Sequence, residues 1–236
     1  MKYYLRYQGG KSRISKQIAE IIERERERED VLVSLFCGTC SIESKLVNFN
    51  KIICNDNNIY LIEMLRASQN KYDFPDVVTY KQYKYIKEHK DENKALTGFV
   101  GFGCSFGGKW FGGYARDKKG NNYANISKNS LEKDMKLLRD KTIFTCLDYK
   151  DVDIPNNAIV YADPPYENTT QYKNKFDSRS FWNYMRKISK TNKVFVSEQN
   201  APNDFKCIWE KQIRRTLDVN KQNNFKATER LFVYNG

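Results

Sequence analysis

The chain alternates short, wholly apolar runs with longer segments whose apolar residues recur every three or four positions. Ile14, Ile18, Ile21 and Ile22 mark the first of the longer kind. That spacing predicts a helix, and the Arg/Glu-rich run over 23–30 reads as its solvated end. Residues 31–36, apolar but for Ser34, predict a buried strand, 37–41 a turn, and 42–49 a helix. A second strand over 51–55 and a second helix over 59–69 follow. Strand–helix alternation of this kind predicts a parallel sheet with helices on both faces.

The pattern breaks over 70–129, a stretch rich in Tyr, Lys, Gly and Phe. Its glycine-dense core over 101–114 argues against regular helix or strand. We read 70–129 as an inserted subdomain and 1–69 with 130–236 as the main domain. Alternation resumes with a helix near 130–139 and strands at 142–146 and 158–162. A helix near 179–189 and a strand at 193–197 come next. Terminal strands near 214–218 and 230–234 are expected to pair antiparallel at one edge. The expected fold class is therefore α/β and Rossmann-like, with one small insertion. The chain has no internal repeat, and it has no N-terminal signal or apolar run of bilayer length. A cytoplasmic setting is expected.

The strand at 158–162 ends in Asp163-Pro164-Pro165-Tyr166. In open α/β sheets ligands bind at that end of the strands. Each proline has a fixed φ and no N–H, so the carbonyls of Asp163 and Pro164 are free to point out of the ladder. A carboxylate, a backbone acceptor and the flat face of Tyr166 suit an exocyclic amino group on a planar base. Three further elements keep this company. Tyr7-Gln8-Gly9-Gly10-Lys11 is a glycine turn before the first helix. Phe36-Cys37-Gly38-Thr39-Cys40-Ser41 is a second turn, after the first strand. Asp56 closes the second strand, about 20 positions after that turn, where an acidic residue typically holds ribose hydroxyls. Asp56 also reads as a cap for the helix that follows. Asp148 ends a later strand, as a cofactor contact or a plain loop carboxylate.

The net charge of +12 favours a polyanionic partner. Aromatic residues make up 14% of the chain, and Tyr72, Tyr80, Tyr83, Tyr85, Trp110 and Tyr114 lie beside Lys or Arg. Rings stack on bases while cations meet phosphates. The six cysteines lack a disulfide framework and read as reduced thiols. Cys37 and Cys40 form a CxxC without a second ligand pair, and His89 is the only histidine. No metal is expected.

Taken in order, these elements resemble the Dam-type (D12 class, alpha group) DNA adenine N6-methyltransferases, whose target-recognition insertion precedes the DPPY motif. The likeness also takes in 194–198 and 229–235. One departure is Cys40, where the family usually has a second glycine; a Cβ there crowds the turn.

The resemblance implies S-adenosylmethionine as methyl donor. It places Tyr7, Gly10 and Lys11 near the methionine part and Phe36, Gly38 and Ser41 against the body. It places Asp56 on the ribose and Asp148 near the adenine amino group, with Asp163 also lining the cofactor site. A target adenine flipped from duplex DNA would be held by Asp163, Pro164, Pro165 and Tyr166. Lys109, Arg116, Lys118, Lys119 and Tyr172 would meet DNA. Phe176 is a second candidate for stacking on the base. Asn121, Asn122 and Asn125 read more readily as turn formers than as base readers. No membrane or obligate protein partner is implied. The rival readings are a cytosine-N4 enzyme, an RNA adenine enzyme, and an inactive nucleic-acid-binding relative. Asp rather than Ser at position 163 favours adenine.

Overall fold

The computed structural model describes residues 5–138, 140–165, 176–216 and 224–236. Five short strands run parallel: β1 (Val31–Ser34), β2 (Lys51–Asn55), β3 (Thr142–Thr145), β4 (Ile159–Ala162) and β5 (Lys193–Glu198). Two long strands, β6 (Phe205–Thr216) and β7 (Asn224–Tyr234), complete a seven-stranded sheet of order β3-β2-β1-β4-β5-β7-β6. β7 is antiparallel to both of its neighbours. The order reverses between β1 and β4, which pair from Leu32–Ile159 to Ser34–Tyr161. That switch point, at the carboxyl ends of the strands, is where such sheets open a ligand crevice.

Six helices flank the sheet: α1 (Ser15–Glu25), α2 (Ile59–Gln69), α3 (Tyr80–Glu88), α4 (Lys94–Gly98), α5 (Tyr123–Leu138) and α6 (Ser178–Ile188). The two-residue period of the strands sorts the core into two layers. Leu32, Ile159, Tyr161 and Phe195 face Ile18 and Ile22 of α1, Leu61 and Leu65 of α2, and Leu131 and Met135 of α5. Val33, Val160, Val194 and Val196 face Phe181 and Met185 of α6. Strands buried on both faces must be apolar throughout, which is why these runs stand out in the sequence.

Several elements differ from expectation: β6 and β7 begin well before the strands expected near 214 and 230, and α3 lies in the inserted segment. The helix expected over 42–49 is a single 3-10 turn, Glu43–Lys45, closed by tight bonds such as Leu46 N to Glu43 O at 3.0 Å. The glycine-dense stretch is not wholly irregular, because Phe99–Gly103 forms a π-helical turn whose residues are all buried. α5 begins at Tyr123, well before the helix expected near 130.

Phe74, Tyr83, Phe99, Val100 and Phe102 join the same apolar layer as α2 and α5. The loop after the π turn docks on the N-terminal segment, with Gln8 N donating to Gly108 O at 3.2 Å. Gly108 has φ +70, and a Cβ there would lie 2.6 Å from Arg6 O and from Tyr7 N. Only glycine lets the two backbones approach this closely.

Candidate active site at the carboxyl ends of the strands

The turn after β1 is fixed by its neighbours. Cys37 N donates to Asn55 O at 2.7 Å, and Cys40 N donates back to Cys37 O at 2.8 Å. Gly38 and Cys40 both take left-handed backbone, with φ of 50 and 56. The Cys40 thiol is fully buried and lies in hydrogen-bonding contact with Cys37 and Cys54. Its side chain therefore fills the core beneath the turn. Burial pushes the Cys37 and Cys54 thiols well above the ordinary range, which disfavours thiolate chemistry. No cluster of His, Cys, Asp and Glu among the described residues could hold a metal ion.

Asp56 is buried at the end of β2. Its Oδ2 accepts Gly38 N at 3.2 Å and its Oδ1 accepts Asn58 N at 3.0 Å. The Asn57 backbone N–H also acts on the carboxylate. Burial lifts the carboxyl to about 6, against the pull of its backbone donors. The helix-capping oxygen belongs to Asn58, which accepts from Tyr60 N and Leu61 N. Asn55, one residue before Asp56, donates to Leu35 O and Leu147 O, and accepts from Leu147 N and from the Thr145 hydroxyl. It ties together the ends of β1, β2 and β3.

The Tyr7 ring lies 3.4 Å from where a Cβ on Gly38 would sit, and the turn around it closes through Gly10 N to Tyr7 O at 3.0 Å. Lys11 follows, and it is buried. Its Nζ donates to Asp163 Oδ1 at 2.7 Å and lies 3.5 Å from Glu229 Oε2 on β7. Pro164 is buried and Pro165 half-buried. Below them Tyr161 donates to Ser197 Oγ at 3.1 Å, or accepts from it. The Ser34 hydroxyl bonds Glu43 Oε1 at 2.5 Å.

The structure thus brings Tyr7 to Gly38, Gly38 to Asp56, and Lys11 to Asp163. Ser41 is half-buried in the same turn, its carbonyl accepting from the Ser44 hydroxyl at 3.4 Å. Asp148 is exposed beyond β3, accepting only local backbone from Lys150 N at 3.0 Å. Phe36 packs in an aromatic group with Tyr149, Phe176 and Phe181. Phe176 is thus part of the core packing around Phe36. Tyr166 and Tyr172 lie outside the described residues. Lys109, Arg116, Lys118 and Lys119 are exposed. Asn121 bonds the nearby Asp117, whereas Asn122 and Asn125, the latter within α5, reach across to Asp76.

Glu43, Glu229, Tyr149 and the Asn55 tie went unassigned in the sequence. A carboxylate at an inward position of a strand (Glu229) or amid buried apolar residues (Glu43) was the available signal. Burial raises the Glu43 carboxyl to about 7 from 4.5, partly opposed by Ser34 and reinforced by the charge of Asp163. The folded protein therefore holds a proton that the unfolded chain has lost between those two values. Its stabilising effect is complete below pH 4.5 and is lost as pH rises through 7. At about 1.4 kcal/mol per unit, the loss is roughly 3 kcal/mol. Glu43→Gln is expected to remove this slope. Urea denaturation at pH 4.5 and 7.5 should show the variant gaining on the wild type by that order at the higher pH. A gap independent of pH would contradict it.

With this geometry in place, the comparisons with known proteins become informative. Residues 7–100 match the family model of the D12 class N6 adenine-specific DNA methyltransferases. The D12 match takes in the Tyr7–Lys11 turn, the Phe36–Ser41 turn and Asp56, and stops before Asp163. The type II methyltransferase M.FokI of Planomicrobium okeanokoites is 24% identical over 80% of this chain. The chain spans about a third of that relative's length, 32%. Among solved structures, PH1948 from Pyrococcus horikoshii, titled a candidate RNA methyltransferase, is 11% identical. It covers 93% of this chain and 82% of its own, with a TM-score of 0.46. An rRNA methylase from Streptococcus thermophilus is 6% identical, covering 92% and 93%, with a TM-score of 0.40. The Rossmann-like fold rests on the strand order itself.

Proposed function

We propose that the protein is an S-adenosylmethionine-dependent, site-specific DNA adenine N6-methyltransferase. The observation that carries the reading is the placement of Asp163 and Pro164 at the carboxyl end of β4, beside the switch point, with the Gly38–Asp56 turn on the adjoining strands. The cofactor fits the residues present. A left-handed glycine sits against Tyr7, and the buried Asp56 carboxylate beside it can accept ligand hydroxyls. When bound, the cofactor supplies a methyl group on a sulfonium. Asp56 accepts the ribose hydroxyls, and the Tyr7–Lys11 turn closes over the methionine part.

Asp163 then accepts one N–H of a flipped adenine's N6, and the Pro164 carbonyl accepts the other. Both bonds draw the nitrogen lone pair out of conjugation with the ring and aim it at the methyl. Asp163 and Pro164 hold N6 in line while the S–C bond of the bound cofactor breaks, and N6 would then lose a proton to water. Positioning of this kind is worth roughly 7–11 kcal/mol in good cases. Lys11 holds Asp163 in place for it. Basic side chains between 109 and 119 meet DNA phosphates.

The test is tritiated methyl incorporation into duplex DNA and into RNA, followed by nucleoside analysis. Label recovered as N6-methyladenosine in RNA, or as N4-methylcytosine, would overturn the reading. Asp56→Ala is expected to weaken cofactor binding by about 1–3 kcal/mol, the cost of a ligand hydroxyl left unpaired. The ionised carboxylate is the stronger acceptor, so wild-type affinity should also fall as pH drops below about 6. Calorimetry from pH 5 to 8 checks both. Unchanged affinity in Asp56→Ala would remove the ribose assignment.

A further inference from the structure

α3 sets Tyr80, Lys84 and Lys87 on one helical face at i, i+4 and i+7. That face borders a cleft of about 510 Å³, closed on the far side by Gly113 and Tyr114. Arg116 stacks its guanidinium over Tyr80 at 4.9 Å and over Tyr114 at 5.2 Å. The Lys84 ammonium lies 5.7 Å from the Tyr80 centroid, and Lys90 sits 5.9 Å from that of Phe111. Among the described residues none of these four cations forms an ion pair with a carboxylate, although Glu88 also borders the cleft.

Other cations of the molecule are treated differently. Lys128 pairs with Asp73 at 2.6 Å and Asp76 at 3.1 Å, and Arg186 pairs with Asp204 at 2.5 Å. Here rings, not carboxylates, hold Lys84, Lys90 and Arg116. A ring restrains a guanidinium or ammonium without neutralising it. The charge stays available, and less side-chain freedom is lost when an anion arrives.

The cleft is also joined to the candidate active site. The Tyr83 hydroxyl bonds Ser105 Oγ at 2.9 Å and accepts Gly113 N at 3.3 Å. Phe106 N donates to Gly113 O at 2.8 Å, and Gln8 N to Gly108 O at 3.2 Å. A continuous run of hydrogen bonds therefore leads from α3 to the turn that carries Lys11.

We propose that the α3 cleft, through Lys84, Lys87, Lys90 and Arg116, grips the phosphate backbone of duplex DNA flanking the methylated base. This rests on the DNA reading above. The phosphates are spaced along a regular polyanion, and four cations about one cleft, two of them one helical turn apart on α3, complement it. Such contacts position the duplex without reading its sequence.

The test is fluorescence anisotropy of a labelled DNA duplex at several salt concentrations, using Lys84→Gln/Lys87→Gln beside Lys84→Arg/Lys87→Arg. The glutamine pair should bind about tenfold more weakly at low salt, and its slope of log K against log salt should fall by about 2. The arginine pair should bind like the wild type. Both should match the wild type in cofactor affinity and melting temperature, since these side chains are exposed. If the glutamine pair binds with wild-type affinity and slope while the wild type binds DNA, the cleft assignment fails and the DNA reading stands. If the wild type binds no duplex DNA, or prefers the matching RNA duplex, both fail.

Discussion

Asp163→Asn is expected to cut methyl transfer by about a thousandfold or more, while cofactor affinity changes little. The carboxylate oxygens accept; an amide in the same place turns one acceptor into an N–H donor. Facing the amino group of adenine, that donor opposes the substrate's own N–H. A thousandfold loss is about 4 kcal/mol at the transition state, well within what positioning supplies. Cofactor binding should survive because the Gly38–Asp56 pair is held by its own bonds at 3.2 and 3.0 Å, none of which involves Asp163. The fold should survive as well, because Lys11 keeps Glu229 at 3.5 Å. Tritium incorporation into adenine-containing duplexes, run beside gel-shift binding, separates turnover from affinity. Near-normal incorporation by the variant would sink the mechanism.

Much of this site can be read in the chain because its parts are local. Strands β1 and β4 are buried on both faces, so their residues are apolar but for Ser34, whose hydroxyl is satisfied by Glu43. Gly38 and Asp56 are linked by a spacing that one strand–turn–strand unit imposes. Lys11 and Asp163 are 152 positions apart, and no pattern along the chain joins them; only the sheet does. Glu43 sits among Ile42, Ser44, Lys45 and Leu46, a string that imitates an amphipathic helix. The chain tightens there into one 3-10 turn instead, which aims the carboxylate inward at Ser34. The long terminal strands are only partly legible for a different reason. Lys206, Glu210 and Lys211 interrupt the apolar pattern of β6, an edge strand paired on one side only. Polar side chains on such an edge are normal and discourage pairing with another chain, but they mask the period on which strand reading depends. α3 was hidden because its stripe is Tyr and Lys rather than aliphatic.

Lys11→Met is expected to destabilise the protein by about 3–5 kcal/mol, the usual cost of removing one partner from a buried charge pair. Lys11 is 6% exposed and Glu229 is 2% exposed, so water cannot replace the ammonium. Without it, Asp163 and Glu229 are left together under the ends of β4 and β7. The Asp163 charge already acts to raise the Glu43 carboxyl, so three acidic groups would share one apolar layer. Coulomb attraction to a single ammonium does not by itself exceed the desolvation of the charges it gathers. The pair is therefore retained for what it fixes, the position of Asp163 at the strand end. That view predicts an asymmetry between the partners. Glu229→Gln should cost less than Lys11→Met, because Lys11 still holds Asp163 at 2.7 Å. Lys11→Met/Glu229→Gln should recover part of the stability of Lys11→Met while remaining slow in turnover, because Asp163 then lacks the ammonium that holds its Oδ1. Urea denaturation of the three variants gives the stabilities, and methyl incorporation gives the rates. Equal costs for the two single variants, or a double variant with restored turnover, would show that Lys11 serves the fold and not the placement of Asp163.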